Sequence, residues 1–142
     1  MTDPNHRGSG ARAIPTLRYR EAKAAIDWLE RAFGFEPRLV VPGPGDTVAH
    51  AQLVADGVMV MLGTARDDDL GAFQQPPSGQ VCTQSPYIIV DNPDAHYERA
   101  VAAGAKVAME LVDEEYGGRG YSCLDPEGHL WNFGSYDPWA AS

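Results

Sequence analysis

Hydrophobic and polar residues alternate along several short segments, with a helical pattern after the first of them. Apolar residues recur every three or four positions over 22–33, which predicts an amphipathic helix that Gly34 ends. Asp56 and Gly57 form the residue pair typical of a tight hairpin. The predicted strands are residues 14–20, 37–41, 48–54 and 58–62. The first part of the chain therefore has the predicted order β-α-β-β-β.

The same order returns after a polar segment that contains three consecutive aspartates and two adjacent prolines. Asn92 and Pro93 are typical of a helix start, which predicts a second helix over 93–103 that Gly104 ends. The strands predicted around it are residues 86–91, 106–111, 120–124 and 129–133. The second part of the chain thus repeats the order of the first.

An offset of 71 residues places Pro15 on Pro86 and the turn residue Gly57 on Gly128. We therefore predict an α+β fold made of two β-α-β-β-β modules that together form one compact domain. The expected divisions are a disordered tail at 1–12, a first module at 13–64, a linker or loop at 65–84 and a second module at 85–138. A single ferredoxin-like α+β domain is the alternative.

Charge and composition limit the classes of partner. The chain has 142 residues and a net charge of −9, which argues against binding to nucleic acid or to an anionic membrane surface. Cys82 and Cys123 are the only cysteines, too few for a disulfide framework or a cysteine zinc site. We find no apolar segment of about 20 residues and no signal-peptide core, so we expect a cytoplasmic protein with no membrane partner.

Three segments carry a family likeness. The run from Tyr19-Arg20-Glu21 through Gly34-Phe35, the segment Ala49–Leu53 and the closing Asp125-Pro-Glu-Gly-His-Leu-Trp131 resemble the vicinal-oxygen-chelate superfamily. That superfamily includes glyoxalase I, extradiol dioxygenases, fosfomycin-resistance enzymes and bleomycin-resistance proteins. The likeness covers residues 13–138 and implies that the two modules curl into an open cup around a small molecule.

The resemblance also implies where a metal would be held. In metal-dependent members the ligands lie on the first and last strands of each module, and they are His, Gln or Glu. The matching positions here are Ile14, Met61, Ser85 and Asn132. Because these side chains are poor ligands for hard divalent ions, we expect no metal and no cofactor at this place.

Strand alternation selects side chains for the inner face of the cup. Thr16 resembles a threonine that assists the nucleophile in fosfomycin-resistance enzymes, and Arg18 could grip a carboxylate or phosphonate. His50 is a candidate general base, or a structural histidine at an interface. No catalytic residue can be assigned, and His96 is expected to be solvated. The predicted ligand-binding residues are Thr16, Arg18, His50, Gln52, Met59, Met61, Ser122 and Asn132.

The predicted ligand-binding residues and the family resemblance are compatible with three functions. The first is a small-molecule-binding protein of the sequestration or antibiotic-resistance type, with a metal-free cup. The second is a glyoxalase-like lyase or another enzyme of the superfamily, with an atypical site around His50. The third is a structural or regulatory module with an occluded cup. We also expect a homodimer in which the aromatic tail Tyr136–Trp139 covers the contact between the two copies. The sequence leaves open whether the two modules pair within one chain or are exchanged between two chains.

Overall fold

The computed structural model describes residues 11–79 and 81–140, so most of the predicted tail at 1–12 lies outside the described residues. The described chain divides into two compact units. The first runs to Pro76 and leaves out Arg31–Phe33, and the second combines Arg31–Phe33 with the chain from Pro77 onward. Each unit contains one four-stranded sheet. This confirms the α+β fold with the order β-α-β-β-β repeated, and it excludes the ferredoxin-like alternative.

The first module consists of four strands and one helix in the predicted order. Its elements are β1 (Thr16–Tyr19), α1 (Ala22–Phe33), β2 (Glu36–Pro42), β3 (Val48–Ala55) and β4 (Val58–Thr64). The strands lie in the order β1-β4-β3-β2, with β1 parallel to β4 and the other pairs antiparallel. Because side chains alternate along a strand, Leu17, Leu53 and Leu62 fall on the buried face, and each is at most 5% exposed.

Glycine shapes both turns that the sequence predicts in this module. Gly34 ends α1 with a φ of 77°, a left-handed conformation that leaves its amide free to bond the carbonyl of Glu30. Asp56 and Gly57 both have positive φ, 47° and 81°, as a two-residue hairpin turn requires. The predicted helix bounds of 22–33 are confirmed.

The second module repeats the first with the same topology. Its elements are β5 (Tyr87–Ile89), α2 (Pro93–Ala102), β6 (Lys106–Asp113), β7 (Arg119–Leu124) and β8 (Leu130–Gly134). The strands lie in the order β5-β8-β7-β6, again with one parallel pair, β5 and β8. Asn92 begins α2, since its side-chain oxygen accepts a hydrogen bond of 3.1 Å from the amide of Ala95.

The register of the strands reproduces the 71-residue offset. Thr16 lies opposite Met61 in the first module, and Tyr87 lies opposite Asn132 in the second. Backbone contacts just before these pairs also correspond. The amide of Met61 donates to the carbonyl of Pro15, and the amide of Asn132 donates to the carbonyl of Pro86, at 2.9 and 3.0 Å.

His96 is not the solvated residue that the sequence predicted. Its ring lies 4.0 Å from that of Phe133 and 5.6 Å from that of Phe33, between centroids, and its Nδ1 is 2.6 Å from the hydroxyl of Tyr121. Burial, followed by the charge of Arg99, lowers the pKa of His96 to about 4. The expectation failed because the groups that pack on His96 come from α1, β7 and β8, and the pattern of residues within α2 does not show them.

The turn between β7 and β8 is held by one buried carboxylate. Asp125 Oδ1 accepts hydrogen bonds of 3.0 Å from the amides of Glu127 and His129, and Oδ2 accepts one of 3.1 Å from Nε1 of Trp131. Gly128 completes the turn with a φ of 91°. The segment 125–131 that carries the family likeness is therefore a structural motif, held by the hydrogen bonds that Asp125 accepts.

Across residues 11–79 and 81–140, none of the helices has the length and apolar character that crossing a lipid bilayer requires.

Candidate functional site

The concave face of the second module contains a cavity of about 220 Å³. Strands β7 and β8 supply its floor, and its walls come from Tyr87 on β5, Met109 on β6 and the chain that follows β6 and β8. Its lining residues all belong to the second module: Tyr87, Met109, Glu114, Tyr116, Arg119, Gly120, Tyr121, Ser122, Asn132, Phe133, Gly134 and Tyr136.

Strand register explains why these side chains meet. Tyr87 lies opposite Asn132, Asn132 lies opposite Ser122, and Ser122 lies opposite Met109. Residues opposite one another point to the same side of a sheet, so the four form a row across it. In the next row Gly134 lies opposite Gly120. Because neither glycine has a side chain, this row leaves space above the sheet for the cavity.

Glycines also allow two tyrosines to lie close to the backbone. A methyl group at Gly134 would lie 2.8 Å from the hydroxyl oxygen of Tyr87, and one at Gly118 would lie 2.6 Å from the backbone nitrogen of Tyr136. The two tyrosines are joined, since the Tyr87 hydroxyl donates a 2.7 Å hydrogen bond to the carbonyl of Tyr136. These two walls of the cavity are thus fixed by backbone that only glycine provides.

The polar groups on the floor are already hydrogen-bonded to one another. Asn132 Oδ1 accepts a 2.6 Å hydrogen bond from the hydroxyl of Ser122, and Nδ2 donates to Oγ of Ser85 and to the carbonyl of Pro86, at 2.8 and 3.0 Å. The amide therefore uses both its acceptor and its donors within the protein.

A divalent metal does not fit the residues at the superfamily's metal positions. The side-chain oxygen of Asn132 already accepts a hydrogen bond from Ser122, and Ser85 is a neutral hydroxyl that is bonded to Asn132. The side chains of Ile14 and Met61 contain no oxygen or nitrogen atom that could bind a hard divalent ion. Within residues 11–79 and 81–140, no three His, Cys, Asp or Glu side chains gather as a metal site would need.

Negative charge prevails around the cavity. Glu114 is half-buried in its wall. The only cationic lining residue is Arg119, and its guanidinium donates to Asp94 at 2.7 Å and to Asp113 at 3.4 Å. Two carboxylates thus pair with this guanidinium, and Glu114 adds a third negative charge to the lining. Burial, followed by Tyr116, Asp137 and Glu114, raises the pKa of Tyr87, which keeps its phenol neutral.

Six predicted residues lie on the sheet of the first module. Thr16, Met61 and Gln52 form one row, and Nε2 of Gln52 lies 3.2 Å from Nε2 of His50. With the Gln52 amide as donor, Nε2 of His50 accepts this hydrogen bond. This contact occupies the lone pair that a general base would use, and a substrate would have to displace Gln52.

Arg18 is the predicted residue with the least access to solvent, at 8% exposure. It lies opposite Gly63, where a methyl group would come within 2.7 Å of Arg18 Nη1, and that nitrogen donates to the carbonyl of Thr64 at 3.4 Å. Burial and the nearby charge of Arg66 lower the pKa of Arg18. Met59 lies opposite Val54, further along the hairpin.

Of the eight predicted binding residues, Ser122 and Asn132 line the cavity. The structure also brings Tyr116, Tyr121 and Tyr136 to it. Tyr87 was missed, although the 71-residue offset from Thr16 leads to it. Glu114 and Met109 carried no comparable signal, because irregular pairing of β6 and the turn after it decide their positions.

Comparison with known proteins agrees with these features. The family model of the Glyoxalase/Bleomycin resistance protein/Dioxygenase superfamily matches residues 13–133. An uncharacterized protein of Mycobacterium bovis is 34% identical over 121 residues, covering 84% of this chain and 80% of that protein. The crystal structure of TioX from Micromonospora sp. ML1 is 34% identical, with a TM-score of 0.70, and the match covers 88% of this chain and 98% of TioX.

A more distant structure shares the fold alone. The bleomycin resistance determinant encoded on the transposon Tn5 is 17% identical with a TM-score of 0.63, over 90% of this chain and 99% of that one. The family model covers most of the chain, and the duplicated β-α-β-β-β architecture is the one these structures have. The chain belongs to the glyoxalase/bleomycin resistance protein/dioxygenase superfamily.

Proposed function

We propose that the protein binds a small organic molecule in the cavity of its second module without the help of a metal. The observation that carries this proposal is the cavity itself, whose floor and walls combine apolar rings with a few polar groups. Small-molecule sites have this character, with burial supplying affinity and polar groups setting orientation. Sequestration of a toxic compound, as in antibiotic resistance, is the role that such binding serves.

The side chains at the superfamily's metal positions support binding without a metal. Asn132 has its amide hydrogen-bonded to Ser122, Ser85 and Pro86, so a cation would have to compete with the Ser122 hydroxyl for the single amide oxygen, which is a neutral ligand. An organic ligand that lies against these residues leaves all of their hydrogen bonds in place.

Exposed apolar residues support a homodimer. On β2, Leu39 and Val41 are 44% and 41% exposed, and Trp139 near the end of the described chain is 60% exposed. A second copy of the chain is the commonest cover for such surface in soluble proteins. We place the protein in the cytoplasm, where both of its cysteines would stay reduced.

A thermal-shift screen tests the binding proposal. Cationic antibiotics, α-keto thioesters and catechols are added with a chelator and, separately, with divalent ions. We expect a ligand that raises the melting temperature in the presence of the chelator. Met109→Trp should abolish the rise, because it fills the mouth of the cavity, whereas Ala108→Trp on the exposed neighbouring position should keep it. A rise that depends on a divalent ion would overturn the metal-free proposal.

The second candidate is an enzyme acting at His50. The observation that favours it is the half-buried pair of His50 and Gln52, which could orient a substrate. In that case His50→Ala would abolish turnover of a screened thioester or catechol and leave the binding measured in the second module unchanged. Loss of stability in that variant would instead identify His50 as a structural or interface residue.

A further inference from the structure

We propose that the cavity of the second module selects an organic cation with an alkylated ammonium group. This inference rests on the proposed function, since it names the chemical class of ligand for the same cavity. It is carried by three features of the described residues: the arrangement of tyrosine rings, the acidic Glu114 beside an Arg119 that is already paired, and the size of the space.

The tyrosines form a corner. The rings of Tyr116 and Tyr136 are 4.9 Å apart between centroids and stand at 81° to each other, and both line the cavity together with Tyr87. The face of an aromatic ring carries negative potential, so rings that stand at right angles surround a cation from two sides. Because the hydroxyl of Tyr87 is bonded to the carbonyl of Tyr136, the ring of Tyr87 is the part left to meet a ligand.

The charges beside this corner favour a cation. Glu114 lines the cavity with its charge close enough to act on Tyr87, and Arg119 has its charge balanced by Asp94 and Asp113. An anionic ligand would therefore meet Glu114 without gaining a free guanidinium. A cation over the rings would gain from both the ring faces and the carboxylate.

The chemistry of the walls favours an alkylated ammonium over a primary one. A primary ammonium carries three N–H donors, each of which needs an acceptor when water is removed. The cavity offers ring faces and one carboxylate, while the oxygen of Asn132 already accepts from Ser122. A trimethylammonium group has no N–H and spreads its charge over methyl groups that pack against rings. The volume of about 220 Å³ suits such a headgroup better than a whole drug-sized molecule, which needs about 300 Å³ or more.

The test compares choline with 3,3-dimethylbutan-1-ol, which has the same shape without the charge. Amide chemical shifts of the full chain are followed by NMR during titration with each probe. We expect choline to bind about tenfold more tightly than the neutral alcohol, and to shift the amides of Gly118 and Gly134, which lie against the tyrosine walls. Added salt should weaken the binding of choline and so reduce the difference in affinity between the two probes.

Single substitutions test which residues give the cavity its preference for choline over the neutral alcohol. Glu114→Gln keeps the shape of the side chain and removes its charge, and it should weaken choline binding about fivefold without changing the binding of the alcohol. Glu115→Gln is the matched control, because Glu115 is exposed and does not line the cavity. Tyr116→Leu should weaken choline more than the alcohol, since leucine keeps apolar contact and loses the ring face.

The outcomes separate this inference from the proposed function. Equal binding of both probes, or equal effects of the Glu114 and Glu115 variants, overturns the cation preference and leaves small-molecule binding intact. If a compound from the thermal-shift screen binds and choline does not, the cation inference alone fails. If choline shows no binding and the screen also finds no ligand that Met109→Trp blocks, both fail.

Discussion

The carboxylate of Asp125 is 5% exposed and holds the amides of Glu127 and His129 and the indole of Trp131. Hydrogen bonds to a buried charged acceptor are stronger than those between neutral groups, and their donors would be left unsatisfied without it. We therefore expect Asp125→Ala to lower the free energy of unfolding by about 3 kcal/mol. Urea denaturation measures this loss.

The control for this prediction is Asp91→Ala, which removes an exposed carboxylate from the start of the segment before α2. Its free energy of unfolding should stay within about 0.5 kcal/mol of the parent chain. A loss of the same size in both variants would show that the Asp125 hydrogen bonds do not contribute more to the free energy of unfolding than an exposed carboxylate does.

His96 gives the stability a dependence on pH. Its pKa in the folded chain is about 4, below the value of about 6.5 expected when unfolded. Between these values the unfolded chain binds more protons, so the folded state loses stability as the pH falls from about 6.5 to about 4. Because part of the ring meets solvent, we expect a loss of about 2 kcal/mol from this residue.

His96→Asn tests this assignment, since asparagine does not titrate and places a polar atom close to the position of Nδ1. The difference in unfolding free energy between the parent and this variant should change across pH 4 to 6.5 and stay constant above it. A difference that is independent of pH would contradict the burial of a neutral imidazole beside Phe133 and Tyr121.

Helices and turns were predicted closely because local chemistry decides them. Gly34 and Asn92 set an end of α1 and the start of α2 through their own backbone and side-chain bonds. Strand ends were less exact. The first strand was predicted over 14–20, whereas β1 is Thr16–Tyr19. Its end depends on how far β4 extends beside it, since Tyr19 lies opposite Thr64, the last residue of β4. That extent is a property of the partner strand.

The cavity was predicted only in part for a similar reason. Alternation placed Ser122 and Asn132 on the correct face, since both lie in regular pairing between β7 and β8. Strand β6 pairs with β7 through two register shifts, on either side of Met109. A bulge changes which side chains face inward, and alternation in one strand carries no information about it. Glu114 follows β6 directly, so its place in the wall could not be predicted either.

The whole chain carries a net charge of −9, and its second module places Glu114 beside the tyrosine corner. A negative field raises the local concentration of cations and speeds their encounter with the protein. The overall charge and the proposed preference of the cavity therefore act in the same direction.

The edge strand β2 is exposed along its whole length, from Glu36 to Pro42. Leu39 and Val41 lie opposite Gln52 and His50, so both point to the same side of the sheet. If a second copy covers this surface, the protein is a dimer at micromolar concentration, with twice the 15.3 kDa mass of one chain by light scattering.

Val41→Lys tests the contribution of this surface. A lysine there must lose water when the second copy covers it, and we expect the dissociation constant of the dimer to rise at least about a hundredfold. Val40→Lys is the matched control, because Val40 is equally exposed and lies opposite Ala51, on the other side of the sheet. Its mass should remain that of the dimer. A parent chain that is monomeric at micromolar concentration contradicts the homodimer, and dissociation of both variants alike places the contact on the edge of β2 instead of its inner face.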